Sequence, residues 1–347
     1  MNKLICVYPF TADSLILLNN RDLWSEGDQY YVSSFSEDIL SLYGAVDKKS
    51  IIPNLEQNLM SFDYLLVPPD ADVHKFQNYS RVIDKSLSID CPIVLSETQR
   101  HFLGLNNSQT IELKREIGFD LEKAFHQMID QLPVPVVGVT GSGDNCDKFL
   151  LEVKCKRILE QTEYKTVFVC SNSLGSRFGM YTIPSVVFSK TITFAEKVRL
   201  LNYYLWRIYF SEKPDLIVVG IPGGTMRLPG DVGDSFSEQA HIWSYATEFD
   251  AVFYNLYNDI SLTTEMCEDL SDSLLTRFGF PVHAFVKSRF IAKKYKNTCD
   301  YDFYNVQQFI EQEEMTTHGL ISIEDDAAIR KKLEQLICAL HGGVYTV

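Results

Sequence analysis

Long apolar runs are missing from this 347-residue chain. A transmembrane helix needs about 20 consecutive, mainly apolar residues, and no run of about 18 occurs, so we expect no membrane span. The N-terminal segment MNKLICVYPF is short and strand-like. It lacks the longer apolar region and the small-residue cleavage site of a signal peptide. We therefore expect a cytoplasmic protein.

Basic residues are also outnumbered by acidic residues. Asp and Glu number 46 against 32 Lys and Arg, which gives a net charge of −14. Nucleic acids and anionic membrane surfaces are bound through a positive footprint, so neither is expected as a partner. A basic peptide or protein partner is compatible with this charge.

Cysteine is present, but without the spacing of a metal or redox site. No C-x-x-C pair and no Cys/His cluster at zinc spacing occurs. The eight cysteines are scattered, mostly within apolar runs: Cys6, Cys91, Cys146, Cys155, Cys170, Cys267, Cys299 and Cys338. We expect reduced thiols in the core and no metal site.

Apolar runs of strand length alternate with longer helical patterns, which is typical of parallel α/β sheets. A chain of this length has room for two or three domains. We predict two parallel-sheet α/β domains, one Rossmann-like and one P-loop-like, followed by a C-terminal helical extension. The predicted domain boundaries are 1–132, 133–289 and 290–347, with the Pro-containing segment Gln131–Pro135 as the first joint.

The first domain is predicted as a small Rossmann-like unit. Its predicted strands are Leu4–Tyr8, Tyr30–Phe35, Tyr64–Val67 and Pro92–Leu95, and its predicted helices are Ser36–Tyr43, Asp72–Leu87 and Asp120–Gln131. The turn after the first strand, Tyr8–Ser14, contains no glycine. A dinucleotide fingerprint is therefore absent, and we expect a structural or partner-binding module.

The second domain repeats the alternation of strands and helices. Its predicted strands are Val136–Thr140, Thr166–Cys170, Leu216–Ile221, Ala251–Tyr257 and Pro281–Val286, the last of the sheet. Its predicted helices are Cys146–Gln161, Phe194–Tyr209 and Glu265–Arg277. The extension ends in a helix predicted over Ile323–Leu340, which begins with acidic residues and stops at a Gly pair.

The segment Val134–Leu150, VPVVGVTGSGDNCDKFL, is the most informative part of the chain. An apolar strand, a Gly-rich turn and a helix start build a phosphate-binding loop, whose template is G-x-x-x-x-G-K-[ST]. Gly138 and Gly143 fall at the glycine spacing, but Asp144 and Asn145 stand where Lys and Ser or Thr belong. The glycine spacing of the loop is kept, but the Lys that binds phosphate and the hydroxyl that binds Mg²⁺ are replaced. We therefore expect no ordinary P-loop hydrolysis.

A second glycine turn follows a neighbouring apolar strand, in KPDLIVVGIPGGTMR (Lys213–Arg227). In P-loop proteins the strand beside the phosphate loop commonly ends in an acidic residue that organises Mg²⁺. Here that strand ends at Gly220, and Asp215 lies at its other end. Because turns at the carboxyl ends of neighbouring parallel strands converge, the two glycine turns are predicted to flank one crevice.

Two interpretations of this region remain open. In the first, backbone amides and the helix N-terminus bind an anion or a nucleotide, with ATP or GTP as candidates and Lys148 as the substitute cation. The residues predicted to line this site are Gly138, Thr140, Gly141, Ser142, Gly143, Asp144, Asn145, Lys148, Pro222, Gly223 and Gly224. In the second, the loop is a tight strand–helix turn whose amides are capped by Asp144 or Asp147.

Five further residues are weaker candidates. Cys146 near the helix start could be an activated thiolate, although neighbouring acidic residues oppose this. Arg177 and Arg227 follow sheet strands in loops, where anion-binding residues belong. Asp231 and Asp234 form an acidic loop that could hold a metal, and a solvated loop is the expected explanation.

Several segments together resemble the clostridial peptide maturation system family. They are KLICVYPF, GVTGSGDNCDKF, FGMYTIPSVVF (Phe178–Phe188), KPDLIVVGIPGG and SLLTRFGFPVHAF. The most specific is the pattern G-x-G-x-x-C-x-K-F, formed by Gly141, Gly143, Cys146, Lys148 and Phe149. Members of that family combine an N-terminal α/β domain with a P-loop-like domain and are associated with radical-SAM enzymes and Cys-rich precursor peptides.

The resemblance implies an accessory role in maturing a ribosomally made peptide natural product of the bacteriocin type. The implied partners are the precursor peptide, the radical-SAM maturation enzyme or both. The resemblance identifies no catalytic residues. It implies that absence of the Lys-Ser pair is a feature of the whole family. The alternative of a different class is a nucleotide-dependent enzyme, a ligase or kinase that acts on the precursor peptide. A purely structural scaffold is the third possibility.

Overall fold

The computed structural model describes residues 3–23, 28–33, 47–71, 76–129, 131–226, 237–260, 262–294, 301–305 and 320–342. It is an α/β structure with two parallel sheets, which confirms the predicted fold class. The chain divides into two compact units: residues 1–116 with 172–185, and residues 117–171 with 186–347.

The first unit contains a five-stranded parallel sheet in the order β2-β1-β3-β4-β5. Its strands are β1 (Leu4–Val7), β2 (Gln29–Val32), β3 (Tyr64–Leu66), β4 (Ile93–Leu95) and β5 (Thr110–Glu112). Its helices include α1 (Ala12–Asn19), α2 (Leu55–Asn58), α3 (Phe76–Ser88) and α4 (Glu97–Phe102). The predicted strands are found. Helix α1 and strand β5 were not predicted, and the predicted helix Ser36–Tyr43 lies outside the described residues.

The second unit contains a parallel sheet with strands in the order β14-β11-β10-β6-β9-β7. These strands are β6 (Val136–Gly141), β7 (Thr166–Cys170), β9 (Leu216–Gly220), β10 (Ala251–Leu256), β11 (Val282–Lys287) and β14 (Leu320–Ser322). The two-residue strand β8 (Tyr181–Thr182) belongs to the first unit. Strands β12 (Phe290–Lys294) and β13 (Tyr301–Asn305) form a separate antiparallel pair.

The helices of the second unit surround this sheet. They include α5 (Leu121–His126), α6 (Lys148–Leu159), α7 (Phe194–Glu212), α8 (Glu238–Ala246), α9 (Thr264–Phe278) and α10 (Asp326–Gly342). Helix α8 was not predicted. The predicted final strand Pro281–Val286 is not the last of the sheet, because β14 pairs in parallel with β11.

The division between the units differs from the predicted joint at Gln131–Pro135. Helix α5, which was assigned to the first domain, belongs to the second unit. The predicted helix Asp120–Gln131 ends early, and Asn202 of α7 replaces helical hydrogen bonding there. Its side-chain amide accepts from the Ile129 N–H at 2.9 Å and donates to the Ile129 carbonyl at 3.0 Å. The described residues after position 290 are grouped with the second unit as well.

Strand β6 lies inside this second sheet, between β9 and β10, and all six of its residues are buried. A parallel strand covered on both faces is expected to be apolar throughout, and Val136, Val137 and Val139 fit that rule. Gly138 faces Phe249, because a Cβ at this position would lie 3.0 Å from the Phe249 ring. At Gly138, β6 is therefore packed closely against Phe249 and Val252.

Among the residues that the structure describes, no helix is both long enough and apolar enough to cross a lipid bilayer.

Candidate functional site

The phosphate-loop template begins at Gly141 rather than at Gly138. Strand β6 ends at Gly141 and α6 begins at Lys148, so the loop comprises residues 142–147. In the template, the first glycine lies where the strand ends and the [ST] residue lies at the helix start. Aligned in this way, Cys146 occupies the position of the second glycine. Asp147 then occupies the lysine position and Lys148 the hydroxyl position. Gly138 lies inside the strand and is not part of the loop.

The carbonyl groups of this loop point into the protein. Three of them accept hydrogen bonds from surrounding side chains: Gly143 O from Lys148 Nζ at 2.9 Å, Asp144 O from the Tyr257 hydroxyl, and Cys146 O from Asn255 Nδ2 at 2.8 Å. Glycine at 143 is required for one of these contacts, since a Cβ there would overlap the Tyr257 hydroxyl. The loop is therefore held through its carbonyls.

The backbone amide groups of the same loop differ from its carbonyls in their hydrogen bonding. From Gly143 to Asp147, no backbone N–H makes a hydrogen bond of good geometry to an acceptor in the described part of the chain, although residues 143–146 form a turn. Asn145 and Asp147 have left-handed backbone conformations, with φ of 52° and 61°, and Cys146 between them does not. Alternation of this kind turns successive N–H groups to one side and forms an anion-binding concavity. The backbone geometry of this segment is compatible with binding of an anion.

The predicted carboxylate cap is not formed by Asp147. This residue stands at the N-cap of α6, but its side chain makes no capping bond to the helix. Its carboxylate instead accepts from the Ser288 hydroxyl at 2.8 Å, from the Arg289 N–H at 2.7 Å and from Arg289 Nη2 at 2.5 Å. The Arg289 guanidinium thus neutralises the acidic group closest to the helix start. Asp144, by contrast, is exposed at the tip of the loop.

The two glycine turns are neighbours, as predicted, and their described residues pack directly on each other. The Thr225 N–H donates to the Gly141 carbonyl and the Met226 N–H to the Ser142 carbonyl, both at 3.1 Å. Gly224 packs on the first loop so closely that a Cβ there would overlap the backbone of Gly143. The second turn therefore packs directly against the backbone of the first loop.

Lys148 joins the two turns. Its Nζ donates to the Gly143 carbonyl at 2.9 Å and also to the Gly223 carbonyl, and the residue is only 7% exposed. No described carboxylate lies at ion-pair distance from it. The sequence analysis predicted Lys148 as the substitute cation, and in the structure it lies behind the loop rather than at the exposed tip.

Glu152, one turn further along α6, was missed by the sequence analysis. It is 1% exposed, and its carboxylate accepts from the Ser171 N–H at 3.0 Å and from the Ser171 hydroxyl at 2.5 Å. It also rests against Gly220, where a Cβ would overlap the carboxylate. A carboxyl group therefore lies beside the end of β9, but it comes from the helix and is bonded to Ser171.

Burial raises the pKa of the Glu152 carboxyl above its ordinary value. The hydrogen bonds from Cys170 and Ser171 and the charge of Lys148 act in the opposite direction. A buried carboxyl holds its proton because desolvation disfavours the charged form. The Glu152 carboxyl explains why position 220 is glycine, since a Cβ there would overlap it.

The other predicted site residues have varied roles. Ser142 is buried and donates to the Asn255 carbonyl at 3.1 Å, while the Thr140 hydroxyl is buried with no hydrogen-bond partner among the described residues. Pro222 and Gly223 are half-buried beside Lys148. Cys146 is fully buried, its thiol donates to the Gly143 carbonyl at 3.0 Å, and burial raises its pKa. It is therefore not an activated thiolate.

The remaining weaker candidates do not join this site. Arg177 lies in the 3₁₀ segment Ser173–Phe178, which belongs to the first unit. Arg227, Asp231 and Asp234 lie outside the described residues. Among the residues that are described, no group of three or more His, Cys, Asp or Glu side chains is arranged to hold a metal ion.

Comparison with known proteins shows the fold. A DUF1611 family protein from Anabaena variabilis has a similar structure, with a TM-score of 0.62 and 10% sequence identity over 96% of this chain and 100% of that chain. The ADP complex of a nucleotide-binding protein from Archaeoglobus fulgidus matches at a TM-score of 0.30, with 10% identity over 62% of this chain and 90% of that chain. This weaker likeness carries no argument. No protein-family model and no curated protein sequence matches the chain.

The contact between the two turns predicts a steric effect at Gly224. Gly224→Ala places a methyl group in the backbone of Gly143, and overpacking of this kind costs about 1–3 kcal/mol. The control is Gly118→Ala, because a Cβ at Gly118 meets nothing within 4 Å. Urea unfolding should show a clear loss of stability for Gly224→Ala and none for Gly118→Ala. Equal midpoints for the two variants would contradict the described contact.

The raised pKa of Glu152 predicts a pH dependence of stability. The folded state keeps the Glu152 proton to higher pH than the unfolded state, whose ordinary pKa is 4.5. The wild type therefore loses unfolding free energy as the pH rises through the folded pKa, by at most about 1.4 kcal/mol per pH unit. Glu152→Gln removes this loss.

Urea unfolding from about pH 5 to about pH 8 measures this effect. The stability of Glu152→Gln relative to the wild type should increase with pH. Glu248→Gln, which changes an exposed carboxyl in the same unit, should follow the wild type. A constant difference between Glu152→Gln and the wild type across this range would contradict the raised pKa.

Proposed function

We propose that the protein is an accessory factor in the maturation of a ribosomally synthesised, radical-SAM-modified peptide natural product, and that its second unit binds an anionic group through the backbone amides of residues 143–147. The observation that carries the binding proposal is the orientation of the loop. Its carbonyls at positions 143, 144 and 146 are bound by protein side chains, whereas the amides of residues 143–147 make no hydrogen bond of good geometry to a described acceptor.

The role in peptide maturation rests on the motif G-x-G-x-x-C-x-K-F, and the structure gives a reason for its members. At Gly141 a Cβ would lie 2.5 Å from Cys146 Sγ, and at Gly143 it would overlap Tyr257. Lys148 bonds to both turns. The residues that carry the family resemblance are thus those that build the cradle, which supports a shared function for this loop.

Binding without hydrolysis is the mode of action that the side chains favour. In P-loop proteins the template lysine reaches the outer phosphates and the adjacent hydroxyl holds Mg²⁺. Here a carboxylate, Asp147, occupies the first position and an ammonium, Lys148, the second. We therefore propose a cytoplasmic binding protein, with the precursor peptide or the radical-SAM enzyme as its partner.

The electrostatics of the loop are compatible with an anion. Asp147 is neutralised by Arg289, the N-terminus of α6 carries a partial positive charge, and the Lys148 ammonium lies behind the loop. The chemistry of the ligand is a phosphate or carboxylate group, supplied by a nucleotide such as ATP or GTP or by an acidic peptide segment. Asp144, exposed at the tip, is the one loop carboxylate that opposes such a ligand.

This charge arrangement predicts how anion affinity responds to mutation. Calorimetric titration with pyrophosphate, ATP, GTP and an acidic peptide should show binding by at least one of them. Asp144→Asn should strengthen that binding by up to about fivefold, because one charge at about 4 Å in water is equivalent to about 1 kcal/mol. Asp272→Asn removes the same charge from an exposed position on helix α9 and should change little.

Two outcomes would overturn the proposal. If none of these anions binds, the loop is a scaffold and the protein an adaptor. If ATP or GTP is hydrolysed in a metal-dependent reaction at about 1 s⁻¹ or faster, an ordinary enzymatic rate, the protein is a nucleotide-dependent enzyme such as a ligase or kinase.

A further inference from the structure

The side chains at the metal position of this loop do not fit a magnesium ion. In the template, Mg²⁺ is held by the hydroxyl that follows the lysine, and an acidic residue at the end of the neighbouring strand organises it. In this chain, Lys148 stands at the position of the hydroxyl and Gly220 at the position of the strand-end acidic residue. An ammonium group cannot coordinate a cation, since all of its polar hydrogens are donors.

We propose that the Lys148 ammonium replaces the divalent ion, so that the loop binds its anion independently of Mg²⁺. This inference rests on the proposed function, because it concerns the same loop. Lys148 Nζ bonds the Gly143 carbonyl of the first turn and the Gly223 carbonyl of the second. The ammonium therefore lies between the phosphate loop and the turn that follows the neighbouring strand, the two segments that supply the metal ligands in the template.

The contacts of Lys148 leave its charge available to a ligand. The residue is 93% buried, and its hydrogen-bond partners in the described part of the chain are two neutral carbonyls. A lysine ammonium has three donors, so one remains beyond these two bonds. A buried charge without an ion-pair partner is costly, and a bound anion would reduce that cost.

The neighbouring carboxyl does not restore a metal site. Glu152 lies against Gly220 at the strand end, but its two oxygens are bonded to the N–H and the hydroxyl of Ser171. Burial favours its protonated form. A divalent ion placed here would also be repelled by the Lys148 ammonium.

The inference predicts metal-independent binding by the wild type. Calorimetric titration with inorganic phosphate and pyrophosphate is carried out in EDTA and in Mg²⁺, with free pyrophosphate corrected for its Mg²⁺ complex. The two dissociation constants should agree within about twofold. Binding that is about tenfold or more tighter in Mg²⁺ would overturn the inference while leaving the proposed function in place. Absence of binding in both conditions would overturn both.

Variants of Lys148 test the residue directly. Lys148→Met should weaken binding by about tenfold or more in both conditions, since it removes the buried positive charge that lies behind the loop, and Lys148→Arg should retain part of the affinity. Lys156→Met removes the same charge from the same helix, where Lys156 pairs with Glu160, and should bind as the wild type does. Unchanged affinity in a folded Lys148→Met protein would overturn the inference. If that variant fails to fold, the wild-type comparison decides.

Discussion

The second unit depends on the close approach of two backbone turns. Gly224 lies directly on Gly143, and two hydrogen bonds from Thr225 and Met226 hold the turns together. Only glycine permits this approach, because a side chain on Gly224 would occupy the space of the first loop. Once the turns are in contact, their carbonyls converge, and Lys148 is placed where it can bond to both. The backbone contact thus determines where the positive charge lies.

The other polar groups of the site follow from this arrangement. With Lys148 committed to the two turns, the lysine position of the template is held by Asp147, whose carboxylate is bound by Ser288 and Arg289. Asn255 and Tyr257 bind loop carbonyls from the adjacent strand end. The lysine and hydroxyl positions of the phosphate-loop template thus carry Asp147 and Lys148. Under the proposed function, such a loop holds an anion in place rather than transferring a phosphoryl group.

Periodicity predicted the sheet of the second unit well, and Thr166–Cys170 agrees at both ends. It could not identify the start of the template, because Gly138, Gly141 and Gly143 lie in one short run and only the packing of Phe249 on Gly138 shows where the strand continues. Lys148 and Glu152 stand at i and i+4, a spacing typical of exposed helix ion pairs. Their burial is decided by Gly223, Gly220 and Ser171, which are distant in sequence.

The central claim is that the backbone amides of the loop bind an anion. A crystal structure of the protein grown with pyrophosphate tests it most directly. The account predicts a phosphate oxygen within about 3 Å of backbone nitrogens between Gly143 and Asp147, with the loop carbonyls still bound by Lys148, Tyr257 and Asn255. Pyrophosphate bound only elsewhere, or a loop whose amides are capped by the Asp144 carboxylate in its presence, would contradict the claim.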